Sequence, residues 1–465
     1  MNILIVSPEA GKFDSALAMT VNRMTKAFSR AGTKVLPCSP FYKAQPNVEF
    51  SQLECIYRGT ERLHGKPFEI WKKPNSLYLY VYNEEFFGRE FVYGKPGEPY
   101  SDTHIRFSFM SSAILEYASK IGFAPHAILG HEWGSALTGS LARNLYTKEY
   151  EGVPFFLTIH NIHYDFLVSE SEIEKLGLPR SEYSMDGYEY WGKVSFLKAG
   201  ILYAQKVLLP SIGYRDAVLK TNTAGGLTGF LRRNADKLKG IQFGVSYSTW
   251  DFNKANQLPL KEAKQRAKAA LAQKIGVDIG ERLLIYAHLD AESGDTSGTL
   301  STLLSDLAKL DVFILVGLDE SFPEWDYYRS VAAEFPNSFC ALNLGKTYDT
   351  LKAFLAGADV LFAGSLKEPS ASILLRALAS GTVPVTGKEI GVANMLDPYT
   401  EGGHGHPNAF LVDDPKSPVH MLRSIRDCVK IYNTPEWDAI VENAYNFRYE
   451  WDRTIAQYLI TLGEY

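Results

Sequence analysis

The chain has 465 residues, 46% of them hydrophobic and 22% charged. Single hydrophobic cores stop growing near about 250 to 300 residues, so this length predicts two folded domains. The formal net charge of -5 excludes the strongly basic surface that binds nucleic acids or anionic membranes, and neither is expected as a partner.

The N-terminal sequence MNILIVSPEAG predicts a strand rather than a targeting segment. Its apolar run is short and has no basic leader. A signal peptide needs an apolar segment of about 7 to 15 residues, and a membrane span needs about 20. The four cysteines are far apart and lack C-x-x-C spacing, which indicates neither a disulfide framework nor a zinc site. We therefore expect a cytoplasmic protein.

The first half of the chain alternates between strand and helix patterns. Asn2–Ser7 is a compact apolar run, and an amphipathic stretch follows over Leu17–Arg30. Similar apolar runs recur at Ala127–Gly130, Phe155–His160 and Lys206–Ser211, each followed by a loop and a helical pattern. This alternation predicts an α/β fold with a parallel sheet and helices on both of its faces.

A second set of strands follows a charged, helix-like segment between about Gly240 and Gly280. These strands are predicted at Leu283–Leu289, Val312–Leu318, Phe339–Gly345, Val360–Ser365 and Thr382–Gly387. The pattern predicts an N-terminal domain over residues 1–245, a C-terminal domain over 246–440, and a last helical segment over 441–465 that packs back on the first domain. Two such sheets are expected to face a shared cleft, where ligands of open α/β sheets bind.

Three segments along the chain, HEWGSALTGSL, FFLTIHNIHYDF and SFLKAGILYAQKVLLPS, resemble in order and spacing the motifs of bacterial glycogen synthases and plant starch synthases. FFLTIHNIHYDF (Phe155–Phe166) is similar to the family's T-I-H-N-L-x-Y signature. The resemblance continues in HEWGSALTGSL (His131–Leu141), SFLKAGILYAQKVLLPS (Ser195–Ser211), the run Gly225–Phe252 and, more loosely, Gly357–Val385. It thus covers nearly the whole chain.

The resemblance implies a GT-B fold, in which two doubly wound, Rossmann-like domains face an interdomain cleft. The N-terminal domain would lie on the acceptor side and the C-terminal domain on the nucleotide-sugar side. Members of this family transfer glucose from a nucleotide sugar, usually ADP-glucose, to an α-1,4-glucan with retention of configuration and without a metal. No cofactor is therefore implied beyond a donor substrate such as ADP-glucose or UDP-glucose. An α-glucan or other carbohydrate is the expected partner.

The resemblance also implies site residues. His160 and Glu368 occupy the positions that flank the transferred glucose in active relatives and are the candidate catalytic residues. The candidate substrate-binding residues are Asn161, Trp133, Arg106 and Gly391. Two alternatives stay open, since His160 could simply hold a loop and Glu368 could be a helix N-terminal acid. The pairs His160-x-x-His163 and His404-x-His406 have no Cys or carboxylate cluster to complete a metal site.

Both fixed cations of the family's R-L-x-x-x-K-G motif are replaced in this chain. The motif reads HLDAESG, which puts His288 at the Arg position and Ser293 at the Lys position. Cleavage of a sugar-diphosphate bond leaves roughly one extra negative charge on the departing phosphate, and a metal-free enzyme must stabilise this charge with preorganised cations and N–H groups.

Other family positions have changed as well. Phe13 stands for the Lys of a K-x-G-G loop, Ser15 and Ala16 for its glycines, Glu132 and Gly134 for the Asp and second His of H-D-W-H, and Ser370 and Ala371 for the Cys and Gly of E-P-C-G. The sequence therefore favours a homologue with weak or lost ADP-glucose transfer that binds glucan or a protein partner. The alternative is an active retaining glycosyltransferase with new phosphate ligands.

Overall fold

The structure is a computed structural model that describes residues 1–13, 15–44, 49–95, 97–254, 257–290, 296–320, 322–345, 348–364 and 369–465. These residues form two compact units. The first comprises Met1–Pro210, Arg215–Ile241 and Trp451–Tyr465, and the second comprises Ser211–Tyr214 and Gln242–Glu450.

Strands and helices alternate along most of the chain. The strands are β1 (Asn2–Val6), β2 (Lys34–Pro40), β3 (Glu54–Thr60), β4 (Pro67–Lys72), β5 (Leu79–Tyr82), β6 (Gly94–Lys95), β7 (Glu98–Pro99), β8 (Ala127–His131), β9 (Phe155–Thr158), β10 (Leu167–Ser169), β11 (Glu189–Tyr190), β12 (Lys193–Ser195), β13 (Lys206–Leu209), β14 (Leu238–Gly240), β15 (Leu283–Leu289), β16 (Val312–Leu318), β17 (Phe339–Asn343), β18 (Val360–Ala363), β19 (Val383–Gly387) and β20 (Phe410–Val412). The helices are α1 (Ala16–Arg30), α2 (Glu84–Phe87), α3 (Thr103–Lys120), α4 (Thr138–Asn144), α5 (Phe196–Tyr203), α6 (Ile212–Lys220), α7 (Thr228–Arg233), α8 (Tyr247–Trp250), α9 (Leu260–Ile275), α10 (Thr296–Leu307), α11 (Trp325–Glu334), α12 (Tyr348–Gly357), α13 (Ser372–Ala379), α14 (Pro418–Ile431), α15 (Pro435–Asn446) and α16 (Trp451–Gly463).

The first unit is built on a nine-stranded sheet with the order β14-β13-β9-β8-β1-β2-β5-β4-β3. The seven strands from β14 to β5 are parallel, whereas β4 and β3 extend the sheet in antiparallel fashion. The central strands read as continuous apolar runs because helices cover both faces of the sheet. Helix α1 buries Val21, Met24 and Phe28, which recur at helical spacing on one face.

The second unit contains a six-stranded, wholly parallel sheet in the order β17-β16-β15-β18-β19-β20. Numbered within the unit, this is the 3-2-1-4-5-6 order of a dinucleotide-binding fold. The predicted α/β class with two Rossmann-like sheets is confirmed. Within the described ranges, no helix combines the length and apolar character that a membrane crossing requires.

The last helix belongs to the first unit. Tyr458 in α16 is fully buried, packs edge-on against Phe28 of α1, and hydrogen-bonds through its hydroxyl to Thr158 Oγ1 at 3.2 Å. Arg30 Nη2 lies 2.5 Å from Asp452 Oδ1 at the surface of the same contact. Helix α16 therefore stabilises the sheet next to the carboxyl end of β9.

The carboxylate of Asp359 connects several elements at the amino ends of the strands of the second sheet. Asp359 Oδ2 accepts hydrogen bonds from the Leu284 amide at 2.8 Å, from Lys268 Nζ at 2.6 Å and from the Tyr432 hydroxyl at 3.0 Å. It thus ties the start of β15 to helix α9 and to the end of α14. These hydrogen bonds lie at the amino ends of the strands. Ligands of open α/β sheets bind at the opposite, carboxyl ends.

Candidate active site

Several polar residues of the first unit meet at the carboxyl ends of adjacent parallel strands. Glu9 follows β1, Glu132 and Trp133 follow β8, and His160 and Asn161 follow β9. Strands β1, β8 and β9 are neighbours in the sheet, so their ends lie at one edge. This is the edge at which ligands of open α/β sheets bind.

Glu132 anchors the backbone of the His160 loop. Its Oε1 accepts hydrogen bonds from the backbone N–H of His160 at 2.6 Å and of Asn161 at 3.1 Å. The residue is only 6% exposed and has a φ of +60°, a strained conformation for a non-glycine residue. The carboxyl group thus connects the end of β8 to the loop after β9 and fixes the backbone positions of His160 and Asn161.

Burial raises the pKa of Glu132 to about 8. The nearby Glu9 carboxylate also raises this pKa, whereas the hydrogen bonds from His160 and Asn161 lower it. Burial also raises the pKa of Glu9. A carboxyl group whose pKa is higher in the folded than in the unfolded chain binds a proton more readily when folded. Its contribution to stability is full below pH 4 and is lost as the pH rises toward 8.

Replacement of Glu132 by glutamine is expected to flatten the pH dependence of stability. Between pH 5.5 and pH 7.5 the wild-type chain should lose about 1 to 2.5 kcal/mol of unfolding free energy relative to Glu132→Gln, since one pKa unit corresponds to about 1.4 kcal/mol. Urea unfolding at both pH values measures the difference. Equal pH slopes for the two proteins would contradict a raised pKa at this position.

His160 is paired with a second histidine. His160 Nε2 and His131 Nδ1 are 3.0 Å apart, and His131 is completely buried at the end of β8. Burial lowers the pKa of His160 to about 3 and holds the pKa of His131 well below its usual range. Both rings are therefore neutral at pH 7, so His160 can offer a hydrogen bond to a sugar but no positive charge to a phosphate.

The first βα turn carries Ser15 and Ala16, which the resemblance predicts to stand at the family's Gly-Gly position. Ser15 is the N-cap of α1, since its hydroxyl oxygen accepts a hydrogen bond from the Ala18 amide at 3.1 Å. The same hydroxyl donates to Glu9 Oε2, while the Tyr93 hydroxyl donates to Glu9 Oε1. Ala16 is exposed. Sequence reasoning did not single out Glu9, although its place directly after β1 could have indicated it.

Phe13, predicted from the resemblance to stand at the family's Lys position, contacts an aromatic ring. Its ring centroid lies 5.6 Å from that of Tyr42 in an edge-to-face arrangement, and the Tyr42 hydroxyl donates to the Pro8 carbonyl at 2.8 Å. Such a contact stabilises the loop by packing. It supplies no charge.

Trp133 is part of an aromatic cluster beside the buried acids. Its ring stacks on Phe166 with centroids 5.2 Å apart and meets Phe107 edge-on at 4.9 Å. Tyr93, which binds Glu9, stacks in turn on Phe107 at 5.8 Å. Trp133 stays partly exposed, so one part of its surface remains available to a ligand.

Gly134 lies where there is little room for a larger side chain. A Cβ atom at this position would lie 3.0 Å from Pro8 Cβ and 3.3 Å from Phe107 Cδ1, both of which are closely packed. Overpacking of this kind costs about 1 to 3 kcal/mol. The loop after β1 has filled the space that a larger side chain would need.

Gly134→Ala is therefore expected to lower the unfolding free energy by about 1 to 3 kcal/mol. Gly298 in helix α10 is a matched control, because a Cβ there meets nothing within 4 Å. Gly298→Ala should raise stability by about 0.5 to 1 kcal/mol. Thermal unfolding of the two variants measures both effects, and a Gly134→Ala protein as stable as the wild type would show that the loop yields freely.

Arg106, a candidate substrate-binding residue, binds backbone carbonyls through two of its three guanidinium nitrogens. It is fully buried in α3, and its Nε and Nη1 donate to the carbonyls of Phe86 and Val92 at 2.7 and 2.8 Å. Burial lowers its pKa. The guanidinium holds the chain segment that carries Tyr93, and through it the Tyr93 hydroxyl that binds Glu9.

His288, predicted from the resemblance to stand at the family's Arg position, is bonded on both sides within the second unit. Its Nδ1 lies 2.8 Å from the Tyr286 hydroxyl, and its Nε2 lies 3.1 Å from Asp290 Oδ2. The chain thus carries an imidazole bonded to a carboxylate at the end of β15. Ser293, the family's Lys position, and the candidate catalytic Glu368 lie outside the described residues.

Gly391 has a structural reason to be glycine. Its φ is +46°, and a Cβ there would lie 2.2 Å from the Cβ of Ala371. The carbonyl of Ser370 accepts a hydrogen bond from Gln242 Nε2 at 2.9 Å. Gly391 therefore packs against Ser370 and Ala371 at the amino ends of α13 and of the turn over Gly391–Met395.

Other candidate ligands form no metal site in the described ranges. No group of three or more His, Cys, Asp or Glu side chains there is arranged to hold a metal ion. The four cysteines are free thiols.

Comparison with known proteins places the chain in a family. The family model of the starch synthase catalytic domain matches residues 2–233. Glycogen synthase of Albidiferax ferrireducens is 29% identical over 391 residues, covering 79% of this chain and 78% of the relative. Glycogen synthase of Syntrophotalea carbinolica is 25% identical over 487 residues, covering 99% of this chain and 98% of the relative.

The fold is shared with a solved structure over almost the full length. The catalytic domain of starch synthase IV from Arabidopsis thaliana, bound to ADP and acarbose, superposes with a TM-score of 0.82 at 20% identity, covering 99% of this chain and 98% of that chain. Two Rossmann-like sheets, the polar residues that end β1, β8 and β9, and these matches lead to one conclusion. The chain belongs to the glycogen synthase and starch synthase family of GT-B glycosyltransferases.

Proposed function

We propose that this glycosyltransferase homologue binds α-glucan and transfers glucose from ADP-glucose weakly or not at all. The proposal depends chiefly on His288. Transfer from a nucleotide sugar without a metal requires cations placed where the diphosphate charge develops. At the position where the resemblance implies an arginine, the chain has an imidazole that is bonded to Asp290 Oδ2 at 3.1 Å, and this supports the proposal because a carboxylate beside the imidazole adds negative charge.

The glucan side of the proposal is supported by the first unit. Glu132 holds the backbone of His160 and Asn161, and Trp133 leaves part of an aromatic surface exposed beside them. Neutral hydrogen-bonding groups next to an aromatic ring suit an uncharged, hydroxyl-rich ligand better than an anion. The curated relatives described above are named glycogen synthases, which makes an α-glucan the natural ligand to test.

The second candidate is an active retaining glycosyltransferase that moves a sugar from a nucleotide sugar to an α-glucan or another acceptor. It is favoured by the buried groups Glu132, His131 and His160, because side chains with strongly shifted pKa values cluster at catalytic sites. Lys12 next to the altered first turn is exposed and could meet a phosphate by a different route. Lys388 forms an ion pair with a carboxylate of the protein, since its Nζ lies 2.7 Å from Asp413 Oδ1.

Calorimetric titration with ADP-glucose, UDP-glucose and a maltooligosaccharide, followed by product analysis, separates the two candidates. We expect heat of binding with the maltooligosaccharide and none with either nucleotide sugar. A β-linked oligosaccharide of equal length is the control for specific recognition. Micromolar binding of a nucleotide sugar with release of ADP or UDP would overturn the proposal and establish the second candidate.

A further inference from the structure

The hairpin between β11 and β12 presents a tryptophan to solvent. Trp191 is 84% exposed, which is the largest exposed fraction among the large hydrophobic side chains of the described residues. Tryptophan is highly buried on average in folded proteins, because its ring carries a large apolar surface. The hairpin therefore exposes an apolar ring that the core of the first unit does not use.

The backbone of Trp191 is also strained. The turn over residues 190–193 has two central residues, Trp191 and Gly192, with φ values of +51° and +74°. Positive φ at both positions is typical of a type I′ hairpin turn, which favours Asn-Gly, Asp-Gly or Gly-Gly. For a bulky residue such as tryptophan, a positive φ is an outlier that costs free energy. Strain of this kind clusters at functional sites, and this points to a function for the side chain.

Several contacts fix the hairpin to the first unit. The Gly192 amide donates to Glu189 Oε1 at 2.7 Å and closes the turn. Lys198, only 3% exposed in α5, donates from its Nζ to the carbonyl of Glu189. Gly226 leaves room for Tyr190, since a Cβ there would overlap the Tyr190 hydroxyl. The exposed indole is therefore held in a preorganised position, which lowers the entropy that is lost when a ligand binds.

The hairpin is connected to the aromatic cluster beside the candidate active site. Strand β12 leads into Phe196 at the start of α5, and the Phe196 ring centroid lies 6.0 Å from that of Trp133. Strand β10, which pairs with β12, directly follows Phe166, whose ring stacks on Trp133. Trp191 precedes Phe196 by five residues, so their Cα atoms are at most about 18 Å apart. A glucan chain of several sugar rings is long enough to span such a distance.

The chemistry of the hairpin suits a hydroxyl-rich, uncharged ligand. The face of an indole is apolar and can lie against the C–H groups of a sugar ring, and the N–H at its edge can donate to a hydroxyl. Glu189 and Lys193 of the same hairpin have opposite charges, so the hairpin favours neither an anion nor a cation. An α-glucan offers both the apolar ring faces and the hydroxyls that these groups can bind.

We propose that Trp191 is an accessory binding residue, which stacks against a sugar ring of an α-glucan chain that extends beyond the candidate active site. The strained turn is kept because it holds the indole in solvent, where a long chain can meet it. This inference rests on the proposed function, since it takes α-glucan as the ligand.

Trp191→Asn in the full-length chain separates a binding role from a structural one. Asparagine tolerates the positive φ of this position and is favoured in type I′ turns. The variant should therefore unfold at a higher urea concentration than the wild type, while its affinity for maltoheptaose falls about three- to tenfold. Urea unfolding and calorimetry measure the two quantities. Lower stability together with lower affinity would show that Trp191 supports the fold, and it would overturn the proposal.

Two further variants serve as controls. Trp191→Phe keeps an aromatic face, so it should retain most of the maltoheptaose affinity that Trp191→Asn loses. Tyr327→Ala removes a 43% exposed ring from α11 of the second unit and should leave this affinity unchanged. Equal losses in Trp191→Phe and Trp191→Asn would contradict stacking, and a similar loss in Tyr327→Ala would show that the effect is not specific to the hairpin.

The length of the glucan chain gives a second readout. In Trp191→Asn, maltotriose should lose less affinity than maltoheptaose, because the contact lies away from Trp133. Equal losses for both ligands would contradict an outer contact. If Trp191→Asn binds maltoheptaose as tightly as the wild type, the accessory contact is wrong while the proposed glucan binding stands. If the wild-type protein binds neither oligosaccharide, the proposed function itself fails, and the accessory contact fails with it.

Discussion

The double substitution His288→Arg with Ser293→Lys is expected to raise the rate of ADP release from ADP-glucose, in the presence of a maltooligosaccharide, by about 10²-fold or more. Loss of a single preorganised group that stabilises developing charge typically costs about 10²- to 10³-fold in rate. The double variant restores two. An arginine at 288 would also replace the imidazole now bonded to Tyr286 and Asp290.

The matched control is His288→Ala with Ser293→Ala, which removes both side chains without adding charge. We expect it to show no more turnover than the wild type. Binding of ADP-glucose by the repaired variant without turnover would assign the remaining defect to the first βα turn, where Ser15 binds Glu9. If neither binding nor turnover rises, the loss of cations is not what limits transfer, and the proposed cause is wrong.

Most of the fold could be predicted because its strands are buried on both faces. Runs such as Leu283–Leu289 and Val312–Leu318 are continuously apolar, and the structure has strands at these positions. The antiparallel extension of the first sheet was missed. Strand β3 alternates between exposed and partly buried residues at the sheet's end, so it carries no long apolar run.

The site was only partly predictable, for a different reason. The sequence showed that Glu132 replaces an Asp, but its hydrogen bond to His160 depends on how β8 and β9 align, with His131 opposite Thr158. The contact of Glu9 with Tyr93 joins residues far apart in the chain. Contacts of this kind are set by tertiary packing, and no local pattern reports them.

A buried acid with two backbone partners should be costly to remove. Glu132→Ala is expected to lower the unfolding free energy by about 2 to 6 kcal/mol, because each buried N–H left without an acceptor costs about 1 to 3 kcal/mol. The two N–H groups belong to His160 and Asn161. Since both glutamate and alanine must adopt the φ of +60°, backbone strain does not account for the difference.

Replacement of Glu132 by glutamine should distinguish the role of its side chain as a hydrogen-bond acceptor from the role of its negative charge. Glu132→Gln keeps an acceptor oxygen for the two N–H groups, so its stability at pH 5.5, where the wild-type acid is protonated, should lie close to the wild-type value. Its maltooligosaccharide affinity should also be close to wild type, whereas that of Glu132→Ala should fall at least about tenfold as His160 loses its fixed position. Urea unfolding and calorimetry measure the two quantities. A Glu132→Gln protein as impaired as Glu132→Ala would mean that the negative charge, and not the hydrogen-bond acceptor, is what the site requires.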